Sequence, residues 1–579
     1  MKRIIHLTLL LLLGVLPVQA QNQERTAPRT PQGAKAASPA APVTQAGSIG
    51  DGPEVTIVDP LKGIVIVDKA RTINRAGARG ISGLLVKGPA FLIDTSFAGV
   101  VAPYLGTKLT NKKLAALQGD IIRFCRKKDH PVIDVMFEEQ EIVDGVIQVT
   151  VIVGKVGRVD LKNEGDQFFK SSVISQQFRL RAGDDILEST LIEDINWINR
   201  NPFRTVDVKL KPGEVGKVDI DVEVKDRLPL RAYMGFEDSL TRLLESRMWY
   251  VGFNWGNAFQ LDHQFNYQFS ASTDFNRLNS HSLSYVIPLK WRHTLTFYGS
   301  RTEVEPNMAI LGFPALTQQG ESWQGSVRYG IPIPRLFGRV DSEVSLGFDY
   351  KASDNNLEFG GTNVFNRPTD IGQFSVGYRL SIPDANGATM IGGTFVKSPG
   401  GLFSRNNDKA FILTRPGATA SYYYARVEGE RNTKLPWGFT WVLKATAQLT
   451  DDTLLPSEQI GVGGFSTVRG YEERTANGDH GWVVNNELRT PAWQISNFTG
   501  NPETGDKLQF LAFFDAGSTA LSTYLPTDDP HRDLASVGAG LRYTMGKNMT
   551  LRIDYGHQVN ERNLSGRHNR GHVGLQLAF

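Results

Sequence analysis

The chain ends in Gly571-His572-Val573-Gly574-Leu575-Gln576-Leu577-Ala578-Phe579. In an extended strand successive side chains point to opposite faces, so Val573, Leu575, Leu577 and Phe579 share one face and His572, Gly574, Gln576 and Ala578 the other. One face suits lipid and the other a wet lumen, which is the two-residue pattern of a membrane-spanning β-strand. The same alternation recurs upstream as far as Leu230. It gives sixteen candidate strands, at 230–238, 246–256, 261–272, 281–289, 293–304, 322–333, 342–353, 373–384, 388–399, 418–431, 437–450, 482–491, 508–519, 535–545, 548–559 and 571–579. Lipid hydrocarbon offers no partners to backbone N–H and C=O groups, so a chain without long apolar helices crosses it only as a closed barrel. An even strand count is what antiparallel closure of a single bacterial chain requires. The fold expected over 229–579 is therefore a 16-stranded antiparallel transmembrane β-barrel. Three long gaps, 305–321, 354–372 and 451–481, are expected as outer loops, alternating with short turns such as Asn386-Gly387 and Gly546-Lys547.

Composition agrees once periodicity is considered. Hydrophobic residues make up 40% of the 579, and the mean hydropathy is −0.24. A barrel distributes its apolar residues at every second position, so that average does not exclude a membrane protein. Fifty-eight glycines and 10% aromatics suit tightly turned strands with aromatic girdles at the membrane interfaces. A net charge of +3 points to no particular partner, and no nucleic-acid partner is expected. The single cysteine, Cys125, excludes an intrachain disulfide and any multi-cysteine metal site, and it falls on the apolar face of an expected helix.

The N-terminus reads as an export signal at 1–20: Lys2 and Arg3, an apolar run from Leu7 to Leu16, then Val18-Gln19-Ala20. That run is shorter than the roughly 20 residues a helix needs to span a bilayer. Residues 21–52 are rich in Ala, Pro, Gln, Thr and Ser without periodicity, and read as a tether or a segment that orders on docking. Within a 21–80 linker the run Ile64-Val65-Ile66-Val67 suggests one strand without an assignable partner.

From Ile81 the pattern is strand, helix, helix, strand, strand: 84–86, 94–105, 111–128, 132–138 and 146–153. Leu114, Leu117, Ile121 and Phe124 follow helical spacing, with Thr110 or Asn111 as N-cap. The order returns at 156–161, 171–178, 187–199, 206–210 and 218–224. Two small α+β domains, 81–154 and 156–228, thus precede the barrel as an internal duplication.

Two short elements carry the mechanism. The longest gap contains Gly463-Gly464-Phe465-Ser466-Thr467-Val468-Arg469-Gly470-Tyr471, a cation bracketed by glycines and aromatics. The strand at 508–519 contains Phe513-Phe514-Asp515-Ala516-Gly517. A charge at membrane depth belongs on the lumenal side, so Asp515 is expected to face inward. A lumenal carboxylate needs a partner, and guanidinium binds it in a planar, bidentate manner. Arg469 on an inward-folded loop is therefore paired with Asp515, with Gly470 and Gly517 allowing loop and wall to approach closely. An exposed loop arginine and a solvated pore aspartate are the alternative from composition alone.

The Val468-Arg469-Gly470-Tyr471 and Phe514-Asp515-Ala516-Gly517 elements, behind two small domains and within a sixteen-strand barrel, resemble the outer-membrane transporters of two-partner secretion, the TpsB or haemolysin-activator family. The resemblance covers about 81–579. It implies that the small domains are periplasmic POTRA modules that capture an unfolded secreted client and that the barrel passes it outward. It also implies that the loop with Arg469 meets the wall at Asp515. His572, Gly574, Leu577 and Phe579 resemble the C-terminal signal read by barrel-assembly machinery. Expected partners are thus a secreted exoprotein, that machinery and outer-membrane lipid.

No Gly-x-Ser-x-Gly elbow, His-Glu-x-x-His or phosphate loop occurs, so neither enzymatic activity nor a cofactor is expected. His557, His568 and His572 are explained by strand alternation and a polar hairpin rather than by metal. Two competing functions are a barrel-assembly factor of the same superfamily, which often carries more POTRA modules, and a passive porin.

Overall fold

The structure, a computed structural model, describes residues 26–31 and 53–579, except 165, 215, 337–339, 360, 361, 367, 497–504, 527 and 561–565. The export signal at 1–20 and most of the tether lie outside the described residues. Two units are distinguished: Gln32–Leu228, and Pro229–Phe579 together with described residues 26–31.

The first unit holds a four-stranded and a three-stranded sheet, besides a short antiparallel pairing of Thr56–Val58 with Leu109–Thr110. Strands β1 (Gly63–Val67), β2 (Gly83–Val86), β3 (Ile133–Met136) and β4 (Val146–Val153) lie in the order β2-β1-β4-β3. β1 is parallel to both neighbours. The run left unpartnered by sequence is thus a central strand, and the sheet draws on residues before 81. An unbroken apolar run reads as a strand buried on both faces, but nothing in it names parallel partners distant in sequence. Helix α1 (Thr95–Val101) is capped by Asp94, whose side chain accepts the Ser96 N–H. Helix α2 (Asn111–Lys127) is capped by Thr110 and buries Leu117, Ile121, Phe124 and Cys125.

The second sheet has β5 (Lys155–Asn163), β6 (Arg204–Pro212) and β7 (Lys217–Asp226) in the order β5-β7-β6. Helices α3 (Ser171–Gln177) and α4 (Glu188–Ile198) accompany it, so the strand and helix order repeats. Leu187 at the N-cap of α4 has no capping side chain. Asp129, just past α2, supplies that cap from the first module by accepting the Ser189 N–H at 2.8 Å.

Among the described residues sixteen wall strands close the barrel: β8 (Leu230–Glu237), β9 (Met248–Ala258), β10 (His263–Ser272), β11 (Leu278–Pro288), β12 (Thr294–Val304), β13 (Leu316–Leu336), β14 (Val340–Phe359), β15 (Thr369–Asp384), β16 (Gly387–Pro399), β17 (Ser421–Lys434), β18 (Thr440–Leu449), β19 (His480–Arg489), β20 (Asp506–Ala520), β21 (His531–Met545), β22 (Met549–Gln558) and β23 (Asn569–Ala578). Neighbours are antiparallel, and β8 with β23 closes the ring. Trp249, Val251, Phe374, Val376, Phe395 and Phe514 point outward and are exposed, forming part of the lipid-facing surface.

One of the three expected outer loops, 354–372, is largely strand, and β13 takes in Leu316 to Glu321 at the end of another, 305–321. β13 has 21 residues and β14 has 20, and Thr362–Asn366 folds back on the end of β14. Twenty extended residues span roughly 65 Å, well beyond an apolar band about 25 Å tall even with the usual tilt. Past the membrane both faces meet water, so alternation ceases although pairing continues. The connection from 400 to 420 holds a short helix, Asp408–Thr414, that alternation does not signal. No helix among the described residues is long and apolar enough to cross a membrane.

Candidate functional site

The connection between β18 and β19 folds into the barrel. Two short strands in it, Ile460–Val462 and Ala476–Gly478, pair antiparallel and carry residues 463–475 as their tip. Arg469 in that tip is 2% exposed and Asp515 on β20 is fully buried. The guanidinium donates from Nε to Asp515 Oδ2 at 2.7 Å and from Nη2 to Oδ1 at 2.8 Å, and the Arg469 backbone N–H reaches Oδ2 at 3.1 Å. Nη1 donates to Glu487 Oε1 on β19 at 2.7 Å and lies 3.4 Å from Asp554 Oδ1 on β22. The guanidinium also covers the Phe513 ring, 3.7 Å from its centroid. Burial of so many charges is tolerable only when every carboxylate is paired. Here Arg489 holds Glu487 Oε2 at 2.8 Å, while Arg542 and Arg552 hold Asp554 at 2.9 and 2.6 Å.

The other motif residues divide by strand parity. Phe514 points to the lipid side, 47% exposed, whereas Asp515 and Gly517 point inward. A Cβ on Gly517 would lie 2.7 Å from Val462 Cγ1, so this glycine admits the loop. Val468 and Tyr471 are buried with Val462, Ala476, Val483 and Leu534, and the Tyr471 hydroxyl donates to the Ala535 carbonyl at 2.9 Å. Gly470, at φ +90°, meets a second glycine rather than Gly517: a Cβ on Gly556 would lie 2.7 Å from Gly470 Cα. At that distance neither position admits a side chain.

Sequence reading missed Glu487, Asp554, Gly556, Arg489, Arg542 and Arg552. One signal was available: Asp554-Tyr555-Gly556 repeats the Asp-x-Gly of Asp515-Ala516-Gly517. In a strand that spacing puts carboxylate and glycine on one face, one to bind the loop and one to make room for it.

The C-terminal residues alternate as expected. His572 and Ala578 are buried, while Val573 and Phe579 are exposed. The Phe579 N–H donates to the Ala232 carbonyl at 2.9 Å, and Leu577 pairs with Met234 and Met549. His572 also joins the loop, with Nε2 accepting the Gly470 N–H at 3.1 Å, and Phe465 packs over Gly574. The described N-terminal piece lies on the lumenal wall. Arg29 pairs with Glu237 at 2.6 Å and covers the Tyr250 ring at 4.5 Å, and Ser280 on β11 donates to the Thr26 hydroxyl at 3.0 Å. Among the described residues no group of three His, Cys, Asp or Glu side chains is placed to hold a metal ion.

A profile of the haemolysin secretion/activation proteins ShlB/FhaC/HecB matches residues 216–543. The heme/hemopexin transporter protein HuxB of Haemophilus influenzae (strain 86-028NP) is 21% identical over 416 residues, covering 69% of each chain. The outer membrane transporter CdiB of Dickeya dadantii (strain 3937) is 20% identical over 433 residues, covering 72% of each. In fold the chain is similar to CdiB from Escherichia coli, with a TM-score of 0.70 and 18% identity over 96% of this chain and 94% of that one. CdiB from Acinetobacter baumannii gives 0.62 and 17% identity, covering 100% and 97%. With more than half its length matched and a closed sixteen-strand barrel behind two POTRA modules, the chain belongs to the haemolysin secretion/activation family, the outer-membrane β-barrel transporters of two-partner secretion.

Proposed function

We propose that an unfolded exoprotein is captured in the periplasm along the open strand edges of the two modules and passes through the barrel. In this reading the Arg469 cluster holds the lumenal loop as the obstruction that moves during transport. The observation that carries it is a guanidinium buried in the lumen on an inward-folded loop and bonded to carboxylates on β19 and β20. A fixed plug needs only apolar packing, whereas a loop anchored through one buried ion-pair cluster can swing about that anchor while its other polar contacts exchange with water.

Capture rests on backbone chemistry. β5 pairs with β7 on one side, and among the described residues no strand covers its other edge along 157–163. An open edge accepts an extended chain through main-chain hydrogen bonds largely irrespective of side chains, as an unfolded cargo of varied sequence requires. The first module is assigned to 53–154 and the second to 155–228. The names of the relatives, a heme/hemopexin transporter and an outer membrane transporter, speak for transport, and a secreted protein is the cargo proposed for this chain. The C-terminal strand serves the assembly machinery as its address, and no enzymatic step is assigned.

The test takes as its client a candidate exoprotein sought among the products of neighbouring genes. Deleting residues 81–226 is expected to abolish its binding and export while the barrel keeps heat-modifiable gel mobility. Equal export by cells lacking the barrel would overturn the reading.

A further inference from the structure

The lumenal loop is fastened a second time, by a group of opposite charge. Glu458 precedes its first short strand and is 1% exposed. Its carboxylate accepts from Lys351 Nζ on β14 at 2.8 Å, Gln373 Nε2 on β15 at 3.1 Å and the Tyr424 hydroxyl on β17 at 3.0 Å. Gln448 on β18 donates to the Glu458 carbonyl at 2.9 Å, and Tyr422 orients Gln373 by donating to its Oε1 at 2.7 Å. Arg469 binds β19, β20 and β22, so the two charged residues tie one loop to different arcs of the wall. The base of the loop is tied separately: Asp479 accepts from Arg415 Nη2 at 2.8 Å, and from the N–H groups of Leu454 and Ser522 at 2.9 and 2.8 Å.

The two fastenings differ in strength. Arg469 presents a planar fork to one carboxylate, adds a second carboxylate and an aromatic face, and is 2% exposed. At Glu458 the one cationic donor is Lys351, whose side chain is 21% exposed, and the other two donors, Gln373 and Tyr424, are neutral. Bidentate guanidinium pairs shut away from water hold better than a single, partly hydrated ammonium. Beside the weaker fastening lies a polar cavity of about 450 Å³, lined by Lys351, Gln373 and Tyr424 of the wall and by Ser457, Gln459 and Arg474 of the loop. It is space into which the near limb of the loop can move.

We propose that Glu458 is a second latch and that the loop opens by releasing Glu458 while Arg469 stays bound as the pivot. This rests on the transport reading above, but the latch is measured without any client. In planar lipid bilayers the full-length chain carrying E458Q is expected to raise the fraction of time open about 10- to 100-fold, the factor carried by one charge-assisted hydrogen bond. E458K places two ammonium groups together and is expected to open at least as often, and the exchange E458K/K351E restores wild-type closure. Hydrogen exchange at 463–471 stays at the wild-type rate in E458Q, because Arg469 remains paired.

Wild-type gating by E458Q, checked for assembly by heat-modifiable mobility, would overturn the proposal. So would failure of the exchange to restore closure, which would make the effect general loop damage, or loss of protection at 463–471 together with opening, which would make the loop a single unit. Absence of client export by the wild-type chain would remove the transport reading and leave these outcomes unchanged.

Discussion

Arg469→Ala is expected to release the lumenal loop and leave the barrel assembled. All three hydrogen bonds to the fully buried Asp515 come from Arg469, two from the guanidinium and one from the backbone. Alanine keeps only the backbone bond. Glu487 retains Arg489, and Asp554 retains Arg542 and Arg552, so Asp515 alone is stranded. Removing one partner of a buried pair costs about 3–5 kcal/mol, and the system avoids that cost by undocking the loop so that water reaches Asp515. At about 1.4 kcal/mol per tenfold, backbone exchange at 463–475 should quicken at least ~100-fold. Asp515→Ala leaves Arg469 with Glu487 at 2.7 Å and Asp554 at 3.4 Å. It should cost only ~1.5–3 kcal/mol, about ten- to hundredfold in exchange. Hydrogen exchange read by mass spectrometry on both variants in lipid checks the ordering. Unchanged protection in Arg469→Ala, or a larger effect from Asp515→Ala, would refute the argument.

Gly556→Ala drives a methyl into the Gly470 backbone and should weaken loop docking by about 1–3 kcal/mol, seen as faster exchange at 463–471 with normal barrel mobility; wild-type protection would count against the close contact. Cys125 is wholly buried in the first module. Burial pushes its thiol up to about 12, so maleimide at pH 8 should leave the native chain unlabelled and label it after urea, whereas native labelling would contradict that packing. Asp129→Ala removes the cap that the first module lends to α4 and should cost about 1 kcal/mol. The amides of 189–192 should then exchange about fivefold faster, and no change would show that the helix start does not depend on that carboxylate.

Barrel order and strand count were legible because lipid and lumen impose opposite demands on alternate residues. Where that contrast ends, legibility ends with it: β13 and β14 continue past the membrane, and Leu316 to Glu321 looked like loop. Ile64 to Val67 could be read as a strand but not placed, because parallel partners leave no local trace. In the site, Arg469 and Asp515 stood out as charges in unusual company. Glu487 and Asp554 did not, since single acids on alternating strands resemble ordinary pore residues until the loop is seen to reach them. Glu458 lies in polar sequence without a motif, and only the fold brings Lys351, Gln373 and Tyr424 to it.

Passage of the client through the lumen is tested most directly by photo-crosslinking a stalled exoprotein from two positions on β15. Arg379 lines the inner cavity and Val376 faces lipid. The account predicts a client adduct from a photoreactive residue at 379 and none from one at 376. Equal adducts from both, or none from 379 while client still reaches the medium, would contradict it.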